Sequence, residues 1–202
     1  NMLLINNLSF SRNGNIILEN LNLSLSNRSI TQVRGKNGSG KTTLLQLVLN
    51  FLECKTGEIF WKGKNIKKNI FNFYNQTTFV MDHNTCTRKM TVMDNINFWS
   101  GLSSSKLTKN EIILLLETFN IQKYQNTKTM YLSSGEIKKL ELLRLILEQK
   151  KLWILDEPYN HLDDLSIEIL NQTFIDHVNK DGIILFTSHF NPIIDNLEVV
   201  DL

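Results

Sequence analysis

The residues with the most chemistry to offer lie in one short run, Gly35 to Thr42, "GKNGSGKT". It fits G-x-x-x-x-G-K-[ST] in full, between an apolar strand-like stretch and a helix with regularly spaced leucines. Gly35, Gly38 and Gly40 let the backbone curl so that successive N–H groups turn toward phosphate oxygens. Lys41 supplies a point charge for β and γ phosphates, and the Thr42 hydroxyl is a ligand for Mg²⁺. A second run, "LWILDEP", ends an apolar strand in Asp156 and Glu157. Such a strand delivers its acids to the ligand edge of a parallel sheet, where Asp156 can hold Mg²⁺ and Glu157 can deprotonate an attacking water. His189 closes another apolar stretch, "ILFTSH", at the same edge, where it can donate to a γ-phosphate or steady the water. Far from these in sequence, "LSSGE" at Leu132–Glu136 opens a helical stretch. Ser134 suits its N-cap, and a helix N-terminus attracts anions.

Positioning these residues takes alternating strands and helices. Residues 2–8 and 16–25 alternate apolar and polar positions, as half-buried strands do. "TGEIFWKGKNI" reads as a hairpin with Gly57 and Gly63 as turn residues, and "TTFVM" as a further strand. From about 91 to 149 the pattern is helical, after which strand, helix and strand return in "KLWILDEP", "SIEILNQTFIDHVNK" and "GIILFTSH". The alternation predicts an α/β core with a mainly parallel sheet, preceded by antiparallel strands and carrying an inserted helical lobe. The expected division is a core lobe, about 1–82 and 150–202, and a helical lobe, about 83–149, in a single domain of 202 residues.

Composition excludes more than it selects. With 42% hydrophobic and 21% charged residues the chain is of ordinary globular make-up. A net charge of +2 shows no bias toward nucleic acid or anionic membrane. No apolar run approaches the roughly 20 residues of a spanning helix. The start "NMLLINNLSF" reads as a first strand, lacking the basic onset and apolar core of a signal peptide. Cys54 and Cys86 match no metal or haem-attachment spacing and read as thiols of a reducing compartment. The absence of alanine, with 25 asparagines and 17 lysines against 5 arginines, points to a very AT-rich genome, such as that of an organelle or a symbiont.

In order and spacing, these motifs resemble the nucleotide-binding domain of ABC-type ATPases over essentially the whole chain. Gly35–Thr42 matches the Walker A loop, Leu152–Asp156 with Glu157 the Walker B strand and catalytic base, and "LSSGE" the signature Leu-Ser-Gly-Gly-Gln with two changes. "NHLD", Asn160–Asp163, falls at the D-loop and His189 at the switch histidine. The resemblance implies ATP and Mg²⁺ as ligands, with nucleotide contacts from Gly35, Lys36, Asn37, Gly38, Ser39, Gly40, Lys41, Thr42 and Thr43. It also implies an ATP-dependent homodimer, in which Ser133 and Gly135 cap the γ-phosphate held by the other copy and Asp163 lies across the interface. Two positions depart from the pattern. The adenine-stacking aromatic is replaced by Arg12, with Phe10 nearby; the Q-loop glutamine is missing, leaving Asp82, His83 and Asn84, of which His83 or Asn84 is expected to sense Mg²⁺ or water. Glu136 in place of Gln brings negative charge close to the phosphates and is expected to weaken capping.

Local strings narrow the resemblance. "GEIFWKGKNI", "MTVMDNINFW", "KLWILDEPYNHLD" and "DGIILFTSH" are similar to ATP-binding subunits of cytochrome c maturation systems. That implies integral membrane subunits as partners, ATP hydrolysis coupled to release of a haem-loaded chaperone, and a peripheral place on the matrix face of a mitochondrial membrane or the cytoplasmic face of a bacterial one. A groove near Met93, Ile96, Phe98 and Trp99 would receive a membrane subunit. The alternatives are an ATPase for another importer or exporter, or a non-transport ABC ATPase; the chain has no basic stripe or second ATPase domain to favour the latter.

Overall fold

The computed structural model describes residues 2–202. In chain order its main elements are β1 (Leu3–Arg12), β2 (Asn15–Leu25), β3 (Ile30–Arg34), α1 (Lys41–Val48), β4 (Thr56–Trp61), β5 (Lys64–Asn65), α2 (Ile70–Asn75), β6 (Thr77–Val80), α3 (Val92–Ser103), α4 (Lys109–Thr118), α5 (Ser134–Glu148), β7 (Leu152–Asp156), α6 (Asp164–Asn179), β8 (Ile183–Thr187) and β9 (Leu197–Asp201). An antiparallel sheet has the order β2-β1-β4-β5, and a wholly parallel one the order β6-β7-β8-β3-β9. The predicted class, a parallel core with antiparallel strands before it and helices inserted, is the one observed.

The period of two in the strands decides which core each side chain joins. Leu152 and Ile154 of β7 and Ile183 and Leu185 of β8 pack with α1 and the antiparallel sheet. Trp153, Leu155, Ile184 and Phe186, the alternate positions, pack with α3, α5 and α6. Covered on both faces, β7 and β8 are buried along their whole length, so their sequences read as unbroken apolar runs. The helix α1 lies between the sheets through Leu44, Leu45, Leu47 and Val48, which ties the phosphate loop to both layers.

Local differences from the expected elements have physical causes. Gly57 is not a turn residue: it lies in β4 at φ 92°, and a Cβ there would stand 2.6 Å from Leu8 Cα. It faces the β1 bulge, where the register shifts between Asn6 and Ser9 and Asn7 takes φ 48°. The six-residue α2 and the five-residue edge strand β9 are too short to be read from periodicity. Of the four groove residues expected on α3, Ile96 and Trp99 are core and Phe98 is exposed. Capping boxes at Thr91–Asp94 and Thr108–Glu111 start α3 and α4. Both cysteines are free thiols, and no described helix is long and apolar enough to cross a membrane.

Candidate active site

The loop between β3 and α1 leaves its helix open. Gly40, at the N-cap of α1 with φ 102°, offers no side-chain acceptor, so the first amides of α1 have none from a cap. Glycine is demanded there twice, by the left-handed backbone and because a Cβ would meet Ile17 Cγ2 at 2.9 Å. Lys41 is buried, and its ammonium donates to the carbonyls of Gly35 (2.9 Å) and Lys36 (3.3 Å) while lying 3.1 Å from His189 Nε2.

Asp156 and Glu157 stand beside this loop because β7 neighbours β8, and β8 neighbours β3, in the same parallel direction. Asp156 is buried and accepts from the Thr42 hydroxyl at 2.8 Å and the Thr187 hydroxyl at 2.6 Å. Glu157 takes φ 45°, and its N–H donates to the Thr187 carbonyl (3.1 Å) and hydroxyl (3.0 Å). Its carboxylate accepts from the His189 amide at 3.3 Å and lies 3.5 Å from His189 Nε2. Thr187 thus fixes both acids, a role the sequence reading did not give it. Only its place at the end of an apolar strand hinted at it.

A cleft of about 460 Å³ joins these groups. Asn37, Gly38, Gly40, Lys41, Thr42 and Thr43 line it, with Asp156, Glu157 and His189 opposite and Arg12 and Ile17 at one end. Met81, Asp82 and His83 enter from the end of β6, whereas Asn84 does not. Gln46, Met81 and Ile17 are lining residues the motifs did not flag. Gly35, Lys36 and Ser39 lie behind the lining, where Gly35 and Lys36 hold Lys41. Among the described residues no cluster of three or more His, Cys, Asp or Glu could hold a metal unaided. The Thr42 hydroxyl beside the Asp156 carboxylate instead fits Mg²⁺, which binds through one or two protein oxygens and completes its shell with phosphates and water.

The signature segment lies outside this cleft. The N-cap of α5 is Ser133, and Ser134 is its first helical residue. Glu136 decides this: its carboxylate accepts from the Ser133 amide at 2.8 Å, closing a capping box. Burial raises Glu136, but hydrogen bonds from Tyr124 and Ser133 outweigh it and hold the carboxyl below its ordinary range. The charge expected to trouble the phosphates is therefore engaged at its own helix start. Gly135 has a steric reason: a Cβ would stand 2.7 Å from the His161 carbonyl of the loop before α6. Lys139 Nζ donates to Asp163 Oδ2 at 3.0 Å, and Asp163 caps α6 by accepting from Ser166, whose bonds lower its carboxyl to about 2.

A further group went unread. Glu141 of α5 is buried and accepts from the Thr85 amide (2.5 Å), the Thr85 hydroxyl (2.8 Å) and the Cys86 amide (2.7 Å). Arg144 backs it, donating to the Thr85 hydroxyl at 3.0 Å and standing over the Trp99 ring. The loop that enters the cleft at Asp82 and His83 is thus bonded to α5 three residues on. Lys138, buried one turn earlier, is pushed down by burial against the pull of Asp82, Asp156, Glu141 and Glu157.

Comparison with known proteins places this geometry. Residues 18–160 match the ABC transporter family. The chain is 32% identical over 200 residues to the cytochrome c biogenesis ATP-binding export protein CcmA of Aliivibrio fischeri, covering 98% of this chain and 97% of that one. An ABC transporter ATP-binding protein structure from Pyrococcus furiosus superposes with a TM-score of 0.83 at 26% identity, covering 98% and 97% of the two chains. A dimeric ATP-binding cassette, MJ0796, bound to ADP and Pi after hydrolysis, superposes with a TM-score of 0.77 at 16% identity, over 94% of this chain and 88% of that one.

Proposed function

This chain belongs to the ABC transporter family and has its ATPase domain, and we propose that it is the ATP-hydrolysing subunit of an ABC complex for cytochrome c biogenesis. Its integral membrane partners would handle haem, with hydrolysis driving release of a haem-loaded chaperone. The observation that carries the catalytic reading is Glu157, pinned through its amide by Thr187 and within 3.5 Å of His189, beside a hydroxyl–carboxylate pair suited to Mg²⁺.

The phosphates of ATP would lie on the amides of residues 35–43. When bound, Mg²⁺ neutralises charge on the phosphates, held by Thr42 and Asp156, with His83 at the cleft wall nearby. Lys41 exchanges the carbonyls of Gly35 and Lys36 for phosphate oxygens. Glu157 takes a proton from water as the water oxygen bonds to the γ-phosphorus. The bond from that phosphorus to the β–γ bridging oxygen breaks, and ADP leaves with the electron pair. His189, freed from Lys41, donates to the γ-phosphate.

Ser133 and Gly135 lie outside the cleft of their own chain, which supports capping in trans by a second copy. The Ser133 hydroxyl accepts from the Glu136 amide and keeps its own proton for a phosphate. Asp163 would meet the partner beside its bond to Lys139. Within each copy we assign residues 83–149 to a helical lobe that moves against the core. A mixture of Lys41→Ala and Ser133→Arg chains should recover ATPase activity that neither has alone, because one composite site of the mixed dimer is intact. No recovery would overturn capping in trans.

The assignment to cytochrome c biogenesis rests on the likeness to the Aliivibrio fischeri protein along nearly its whole length. That relative is bacterial, which favours the cytoplasmic face of a bacterial membrane and lends no support to the mitochondrial matrix face. Expression in a bacterium deleted for its own CcmA should restore haem-stained c-type cytochromes. An ATPase-active chain that restores none would point to another importer or exporter.

A further inference from the structure

The largest cavity described lies away from the nucleotide cleft, at the N-terminal edge of the parallel sheet. It measures about 550 Å³, in the range that holds a drug-sized molecule. Leu107, Leu145 and Ile146 give it apolar walls. A flat surface is supplied by His177, stacked on Trp153 with ring centroids 3.5 Å apart and planes 7° from parallel. The stack is fixed from two sides: the His177 ring donates to the Lys151 carbonyl at 3.1 Å, and a side chain at Gly182 would collide with the ring.

The charges that line the cavity point to an absent anion. Lys150, Lys151 and Lys180 line the same cavity, and none lies within 4 Å of a described carboxylate. One carboxylate, Asp176, lines the cavity with the three lysines and accepts from Gln172 at 2.8 Å, and Asp181 nearby pairs with Arg28 at 2.7 Å. The crowding of positive charge is felt by its neighbours. Burial chiefly pushes His177 down, to about 4, with the charges of Lys151 and Lys180 adding to it, and burial followed by the charge of Lys151 lowers Lys62.

We propose that this cavity binds a small organic anion, a flat apolar body with a sulfonate, carboxylate or phosphate head, in a site separate from the nucleotide cleft. The apolar body would lie on the His177 ring against Leu145 and Ile146. The head group would take up the uncompensated charge of the lysines, where one anion relieves several like-charge repulsions at once.

Two fluorescent probes test this on the full chain saturated with ADP and Mg²⁺: 1-anilinonaphthalene-8-sulfonate, and N-phenyl-1-naphthylamine, which has the same rings without the sulfonate. One sulfonate probe should bind per chain, at least tenfold more tightly than the neutral one. The double variant Lys150→Gln/Lys180→Gln should bind it at least tenfold more weakly, with ADP affinity unchanged. If the double variant melts early, the two single variants carry the test, each expected to lose at least threefold. Equal affinity for the two probes, unchanged binding in the lysine variants, or binding of the sulfonate probe only when ADP is withheld would each overturn the proposal.

Discussion

The two edges of the parallel sheet hold their charges in opposite ways. At the C-terminal edge each reactive group already has a partner in its own chain: Asp156 has Thr42 and Thr187, Lys41 has two loop carbonyls, and Glu157 has His189. At the N-terminal edge, among the described residues, Lys150, Lys151 and Lys180 pair with no carboxylate within 4 Å. A catalytic site gains from the first arrangement. Groups held by exchangeable partners are already in place when substrate arrives, so little reorganisation accompanies the reaction. The second arrangement leaves charge uncompensated until a ligand comes.

The sharpest way to break the C-terminal edge is Glu157→Gln. The amide keeps the size and the backbone bonds to Thr187 but cannot take a proton. Steady-state ATPase turnover should fall by about 10²–10⁴-fold, the usual contribution of a general base, with ATP binding retained. A dimer trapped by ATP should then be visible by size-exclusion chromatography. Turnover within threefold of the unaltered chain would remove Glu157 from this role.

Glu141→Ala should cost about 1–3 kcal/mol of stability, because the Thr85 amide and the buried Cys86 amide lose their acceptor, while Arg144 keeps Glu148 at 2.9 Å. Denaturant unfolding measures it. Glu141→Gln keeps an acceptor for the amides and should recover part of the loss. If both variants are as stable as the unaltered chain, the bond between the cleft loop and α5 has no energetic weight.

How far the sequence reveals these regions differs for the same physical reason. Gly35–Thr42 and Asp156–Glu157 were legible because their chemistry sits on contiguous residues flanked by apolar runs that fix their elements. Glu141 and Thr187 were not, since their partners lie 55 and 56 or 31 residues away and only the packed fold brings them together. Ser133 against Ser134 was decided by one long-armed side chain, Glu136, three positions on from the true cap. Gly57 was misread because a glycine in a turn and one facing a bulge look alike in sequence. The Trp153–His177 stack pairs a strand with the end of a helix, and no motif marks it.

Acid probes the N-terminal edge. His177 is held neutral, pushed from an ordinary 6.5 to about 4 chiefly by burial. Between those values the unfolded chain binds a proton that the folded one does not, so stability falls as pH drops from 6.5 toward 4 and levels off below. The loss from this group is about 3 kcal/mol at most. His177→Phe keeps the stack on Trp153, and its unfolding free energy should vary less over that window. An identical pH profile in the variant would place the acid sensitivity elsewhere.

The smallest effect expected is at the end of the nucleotide cleft, where Arg12 replaces the usual aromatic. No Phe, Tyr or Trp lines the cleft among the described residues, and at the end near β1 the Arg12 guanidinium and Ile17 are the side chains placed to meet the base. A guanidinium stacks on a flat ring but is exposed here at the end of β1, so its share of binding is small. Arg12→Ala should weaken binding of a fluorescent ATP analogue by about threefold to tenfold, near 1 kcal/mol. Arg12→Tyr should bind at least as well as the unaltered chain, because an aromatic ring supplies the same stacking face with less side-chain entropy to lose. If Arg12→Ala binds undiminished while Arg12→Tyr gains, Ile17 and the loop amides alone seat the nucleotide. In that case this end of the cleft resembles the opposite edge of the sheet, holding a charge that still lacks its partner.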